Sequence, residues 1–196
     1  MLVDVGGPGE RVRRDGMLDE REVAGLDQKA RAEKQAETRR RITEATVALH
    51  EEVGPARTTV AEVARRAGVT RLTVYNNFPD ERELFAACQG HWFGRHPPPA
   101  LDPADGLETV LLSLYAWYRD TARMAENVRR DRALVPELDA LMRETGDARM
   151  AGLAEALGGG PMVALALDFW TWRRLAAEGL PDERSASLMS RAARLS

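Results

Sequence analysis

Between residues 42 and 94 the apolar positions recur every three or four residues and break off at short polar or glycine steps, the period of amphipathic helices and not of strands. Ile42, Ala45, Leu49 and Val53 keep one face through TRRRITEATVALHEEVG (Thr38 to Gly54) and should pack on the helices that follow. Val60, Val63 and Ala64 make a shorter stripe, with Glu62, Arg65 and Arg66 on the wet side. Thr59 followed by Glu62 has the spacing of a capping box, in which each side chain satisfies a free backbone N–H at a helix start. Gly68 falls where that helix must stop, and glycine accepts a left-handed C-terminal cap without steric cost. Thr70 can cap a third helix, with Val74 and Phe78 turned to the core. Pro79 ends it, Asp80 and Glu83 form a second capping box, and a fourth helix runs through LFAACQGHWFG to the proline-rich HPPPALDP. Two short helices joined by a glycine turn are a helix-turn-helix, a unit that places its second helix in the DNA major groove.

Beyond the prolines the pattern predicts amphipathic helices over about residues 106–118, then a short one to Arg130, one from Val135 to Leu157 with a break at Gly146, and others over Met162 to Glu178 and Asp182 to Leu195. Gly158-Gly159-Gly160-Pro161 and Gly179-Leu180-Pro181 supply the stops. Without alternating strand patterns the chain is all-α: an N-terminal three-helix DNA-binding domain and a C-terminal helical bundle. A flexible tail over 1–28, with Met17 as an alternative start, precedes the DNA-binding domain at 29–96. The bundle covers 97–196, with the boundary at Pro97 to Pro103.

Net charge is −3 over 196 residues, so any DNA affinity must come from local basic clusters. Lys29, Arg31, Lys34, Arg39, Arg40 and Arg41 form one; it is either a solvated face or an arm that follows the phosphate backbone. The single cysteine, Cys88, leaves no internal disulfide and no multi-cysteine zinc site. The start, MLVDVGGPGERVRRDG, has acidic and glycine residues where a signal peptide has an apolar core, and the runs VLLSLYAWY and MVALALDFW are too short to span a bilayer. A cytoplasmic protein with no membrane partner is expected. No catalytic set emerges. His91 and His96 lie on different helix faces, His50 stands alone, and GGGP lacks the Lys-Ser/Thr of a phosphate loop, so no enzyme, metal or cofactor is expected.

Thr59-Val60, Val63-Ala64, Ala67-Gly68-Val69-Thr70, Tyr75, Phe78 and Glu83-Leu84, with the helix upstream from Thr38, resemble the N-terminal DNA-binding domain of the TetR family of transcriptional regulators. The resemblance implies a homodimeric repressor that binds a near-palindromic double-stranded operator and is released by a small-molecule inducer. The DNA-binding candidates are Arg40, Thr59, Thr70, Arg71, Leu72, Thr73, Tyr75, Asn76, Asn77 and Arg82. Among them Arg71 suits a bidentate contact to guanine, and Thr73 a thymine methyl or a phosphate. By resemblance Tyr75 lies against the DNA backbone and Asn76 and Asn77 meet phosphates; Tyr75 could equally be a packing aromatic. Two positions depart from the family. Glu81 stands where a lysine usually meets a phosphate, leaving Arg82 as the substitute, and Leu72 stands where a small residue is common.

In the bundle, Leu111, Leu114, Tyr115, Tyr118, Leu138, Met142 and Phe169 are the candidate pocket lining, since a cavity between helices lined by aromatics and Met suits a small ligand. The same residues at helical spacing could be plain core. An apolar lining suggests an uncharged hydrophobic or aromatic inducer. The closing segment ALDFWTWRRLAAEGLPDERSASLMSRAARL resembles the helix pair through which TetR subunits dimerise, with Trp170, Trp172, Leu175, Leu188 and Ala192 on the buried side. Alternatives are a ligand-binding helical protein with weakened DNA binding, an enzyme with an appended reading domain, and a transcriptional activator.

Overall fold

The structure, a computed structural model, describes residues 20–195. The expected tail, Met17 included, lies outside the described residues as far as residue 19. From Glu20 the chain is already helical, within the stretch 1–28 expected to be a flexible tail. α1 spans Glu20–Glu52, α2 Val60–Ala67, α3 Arg71–Asn77, α4 Glu81–Arg95, α5 Leu107–Asp131, α6 Pro136–Met142, α7 Ala148–Ala156, α8 Pro161–Leu167, α9 Phe169–Ala177 and α10 Asp182–Ala193. The fold is all-α, as expected. Two compact units divide between Glu37 and Thr38. In the first, the stretch 28–37 of α1 is exposed, with Lys29 facing Glu33 at 3.9 Å.

In the second unit, one core joins Ile42, Ala45 and Leu49 of α1 to Val63, Ala64 and Ala67 of α2 and to Val74 and Phe78. Val53 does not join them. The chain leaves the helix at Gly54 (φ 93°), and Val53 is exposed there. A larger core surrounds α5, with Leu111, Leu114, Tyr115 and Tyr118 packed against Val163, Ala166 and Leu167 of α8, Phe169 and Trp172 of α9, and Ala186 and Met189 of α10.

The two cores are joined by polar contacts at the end of α1, whose last carbonyls lack partners within the helix. Asn127 Nδ2 donates to the carbonyls of His50 (3.0 Å) and Glu51 (2.8 Å), and Arg130 Nη2 donates to that of Val53 (3.3 Å). Asp131 accepts the Ala56 N–H at 3.1 Å. A Cβ on Gly54 would fall 2.2 Å from the Asp131 carboxylate, so the close approach needs glycine there. The Pro97 to Pro103 stretch therefore turns the chain inside one unit, since Thr38–Ser196 hold together.

Three helix boundaries differ from the expectation. α5 is a single helix of 25 residues, because nothing between Leu107 and Asp131 breaks it. Gly146 does not stop the chain; α6 passes into α7 through a π turn over Arg143–Asp147, and the Thr145 hydroxyl donates to the Leu141 carbonyl at 2.7 Å. The stretch from Met162 to Glu178 is two helices. Asp168 is extended, and its carboxylate accepts the N–H groups of Trp170 (2.9 Å) and Thr171 (3.1 Å), starting α9 afresh.

Candidate nucleic-acid interface and ligand cavity

The reading unit is built by local chemistry at each helix end. Thr59 Oγ1 accepts the Glu62 N–H at 3.2 Å, but the return half of the capping box is missing because the Glu62 carboxylate takes Arg65 instead. At Asp80 the same happens: Oδ1 accepts the Glu83 N–H at 2.7 Å while Glu83 pairs with Arg39. Gly68 closes α2 in the left-handed conformation (φ 65°, ψ 40°), and Arg41 donates to the carbonyls of Ala67 and Gly68 beside it. Thr70 caps α3 by accepting the Thr73 N–H at 3.1 Å, and the two hydroxyls lie 2.8 Å apart.

With Val74 and Phe78 buried, α3 turns Arg71, Leu72 (67% exposed), Tyr75 (55%) and Asn76 outward on one face. Arg71 makes no hydrogen bond or ion pair with any described residue, so its five-donor fork is available to a base edge. Thr73 is only partly exposed, with its hydroxyl shared with Thr70.

Asn77 is misplaced by the sequence reading. It is 8% exposed, its Nδ2 donates to the Thr73 carbonyl at 2.8 Å, and its own carbonyl accepts from Arg39, so it ends the helix instead of meeting a phosphate. In the sequence Arg39 is one member of a basic cluster. Its guanidinium lies over the Phe78 ring, 4.1 Å from the centroid, and bonds Glu83 at 2.7 Å, clamping α1 to the end of α3 and the start of α4. Arg39 and Arg41 thus serve the fold, and a phosphate-tracking arm loses those two members. Arg40 bonds Glu44 at 2.7 Å, and Arg82 bridges to Glu144 of the π turn (3.2 Å for one of its two contacts). Glu81 is exposed beside it.

A cavity of about 310 Å³ lies between α1, α4, α5, α6, the π turn and α7. Of the candidate lining, Leu114, Tyr118, Leu138 and Met142 border it. Leu111, Tyr115 and Phe169 do not. Leu111 faces the α5 core, the Tyr115 hydroxyl donates to the Ala166 carbonyl at 2.7 Å, and Phe169 packs edge-on to Tyr118 at 5.3 Å. Part of the missed lining comes from the reading domain itself: His50 of α1, and Phe85, Cys88 and Trp92 of α4. Burial lowers the His50 pKa to about 4, with Asp131 pulling the other way, and pushes the Cys88 thiol up to about 12. His50 stacks on Phe85 with ring centroids 5.5 Å apart. Apart from its lone position, nothing in the sequence pointed to it.

On the outer face of α8 to α10, Trp170 (44% exposed), Leu188 and Leu165 are open to solvent. Trp172 is not part of that face. It is 3% exposed, and its Nε1 donates to Asp182 at 3.0 Å, while Arg119 holds the same carboxylate at 2.6 and 2.8 Å. Leu175 packs partly on the α5 core and Ala192 is partly buried. Among the described residues no helix is long and apolar enough to cross a membrane, and no three His, Cys, Asp or Glu side chains gather as a metal site would require.

A capped helix, a left-handed glycine turn and a second helix with one unpaired, exposed face define a helix-turn-helix DNA-binding domain. Residues 42–88 match the family described as bacterial regulatory proteins, tetR family. Over 52 residues the chain is 46% identical to uncharacterised HTH-type transcriptional regulators of Mycobacterium tuberculosis (strain ATCC 25618 / H37Rv) and Mycobacterium bovis (strain ATCC BAA-935 / AF2122/97). That stretch is 26% of this chain and 28% of each relative's length. A crystal structure of a TetR transcriptional regulator from Rhodococcus sp. RHA1 is 24% identical, with a TM-score of 0.46 over 83% of this chain and 96% of that one. Residues 42–88 are thus a DNA-binding domain of the tetR type.

Proposed function

We propose that this protein is a dimeric, ligand-responsive transcriptional repressor that binds a near-palindromic operator. The observation that carries the reading is the outward face of α3, where Arg71 has no partner among the described residues and Leu72, Tyr75 and Asn76 stand beside it. An arginine fork matches the two major-groove acceptors of guanine, O6 and N7, and each good bidentate pair discriminates by about 1–3 kcal/mol. Leu72 offers an apolar contact to a thymine methyl. A two-fold dimer, joined through Trp170 and Leu188 with Leu175 and Ala192 at its edge, would set two such helices one DNA turn apart or a multiple of it.

Release follows from the cavity's position. A small molecule with a hydrophobic or aromatic body would sit against α4 and the π turn at once. The π turn grips α4 through Glu144 to Arg82 and through Thr145, whose hydroxyl accepts Gln89 Nε2 at 3.0 Å. Filling the cavity shifts α4, and with it the reading helix. The ligand represses or releases only to the extent that it favours one head spacing over the other.

A second reading, a ligand-binding helical protein with weakened DNA binding, draws support from Glu81, exposed near the phosphates' path, and from the engagement of Asn77 and Arg82 elsewhere. Gel shifts with an inverted repeat upstream of the protein's own gene separate the two. A salt-sensitive complex supports the regulator, and its absence at low ionic strength supports the alternative. In the same assay Arg71→Ala should cost roughly 1–3 kcal/mol and relax preference at one base pair; a uniform loss over all sequences would make Arg71 a phosphate contact. Transcription with and without the protein distinguishes repression from activation.

A further inference from the structure

The cavity wall is mostly apolar, and among its few polar members Arg129 of α5 borders it. Its guanidinium lies 4.7 Å from the Phe169 ring centroid and 5.6 Å from that of Tyr118, and burial pulls its pKa below the usual range. Among the described residues no carboxylate is in ion-pair contact with it; Asp168 and Asp147 act on it only as charges at longer range. Asp147 also borders the cavity but is held by Arg132 through bonds of 3.1 and 2.7 Å, and Asp168 caps α9. Of the five donors on Arg129, one reaches the Ala125 carbonyl at 3.5 Å and another faces the Tyr118 hydroxyl, whose own proton goes to the Leu167 carbonyl at 2.9 Å. Besides Asp147, the wall carries Arg149, which is exposed; His50 is neutral at physiological pH. A desolvated guanidinium that no carboxylate touches, with only the more distant charges of Asp168 and Asp147 to offset it, is costly to keep, and a ligand oxyanion would reduce that cost.

We propose that the cavity takes an organic monoanion, an apolar body bearing one carboxylate that pairs with Arg129. This rests on the reading of the cavity as the ligand site and replaces an uncharged inducer with a charged one. With Arg149 out at the surface, the one half-buried guanidinium on the wall matches a carboxylate's one charge. A phosphate monoester, at nearly two negative charges, would be left half-neutralised. The cavity's about 310 Å³ lies at the small end of ligand pockets, which suits a short acyl or aromatic acid.

Isothermal titration of the full chain with decanoate, decanol and decylamine, each below its micelle-forming concentration, tests the assignment. Decanoate should bind one per chain, roughly 10- to 100-fold tighter than decanol, with decylamine weakest. Arg129→Met, which removes the charge and keeps much of the bulk, should bring decanoate down to the level of decanol while decanol still binds, which also shows that the variant is folded. Arg129→Lys should keep part of the preference, since the charge remains and the fork is lost. Equal affinity of the wild-type protein for decanoate and decanol overturns the proposal and leaves the cavity a ligand site. Failure of all three to bind overturns both.

Discussion

Lowering the pH from about 7.5 to 5 protonates His50 in the unfolded chain and leaves it neutral in the folded one. The ring is buried against Phe85 on the cavity wall, and its pKa falls from 6.5 to about 4, chiefly because burial disfavours the charged form. The sign follows from linkage. Above pH 6.5 neither state holds the proton and the shift has no effect on stability; between 6.5 and about 4 only the unfolded chain binds it, so stability falls as the pH falls. At 1.36 kcal/mol per pH unit the loss is about 2 kcal/mol at pH 5 and about 3 kcal/mol once the folded ring also titrates. Carboxylates contribute in the same range, so the useful quantity is a difference. Urea unfolding of wild type and His50→Gln, at one protein concentration and several pH values, isolates the imidazole. The stability advantage of wild type over the variant should shrink by about 2 kcal/mol between pH 7.5 and 5. A difference that stays constant within about 0.5 kcal/mol would mean that the ring is solvated and the cavity wall is open there.

Gly68→Ala places a side chain at φ 65° with its Cβ 2.7 Å from Arg41 Nη2, so thermal unfolding should begin lower, by about 2–8 °C for a cost of roughly 1–2 kcal/mol. Glu144→Gln frees Arg82; since both side chains are exposed the stability change should stay under about 1 kcal/mol, while operator affinity rises and the salt slope steepens by about 1. An unchanged slope in salt-titrated anisotropy would show that Arg82 does not reach a phosphate. Trp170→Glu should give a monomer by sedimentation with little loss of fold stability, because the indole is 44% exposed in the single chain. A dimer that persists would place the interface elsewhere.

What could be read along the chain was whatever a few consecutive residues decide. Thr59, Gly68, Thr70 and Asp80 each act on a backbone group within a few residues, so the helix-turn-helix and its resemblance to a known family were legible before any tertiary contact. The exposed face of α3 followed for the same reason, since Val74 and Phe78 had to turn inward. The second half of each capping box was not legible, because Arg65 and Arg39 compete for Glu62 and Glu83.

The tertiary structure decided what lies across distance. Arg39, Arg41, Arg71, Arg82 and Arg129 look alike in a sequence, yet the first two clamp the fold, Arg82 meets a carboxylate 62 residues away, and Arg71 and Arg129 have no carboxylate partner among the described residues. Helical period likewise gave no direction to α5, which is buried on more than one side: Leu114 and Tyr118 reach the cavity while Leu111 and Tyr115 fill the core behind them. His50 joined the cavity only because the end of α1 docks on α5 through Asn127, Arg130 and Asp131. Caps and turns are satisfied within one or two turns of backbone, so sequence alone determines them. A charge or an aromatic takes its meaning from the neighbour it finds in space, and here that neighbour separates a clamp from an unpaired side chain and a core residue from a cavity wall.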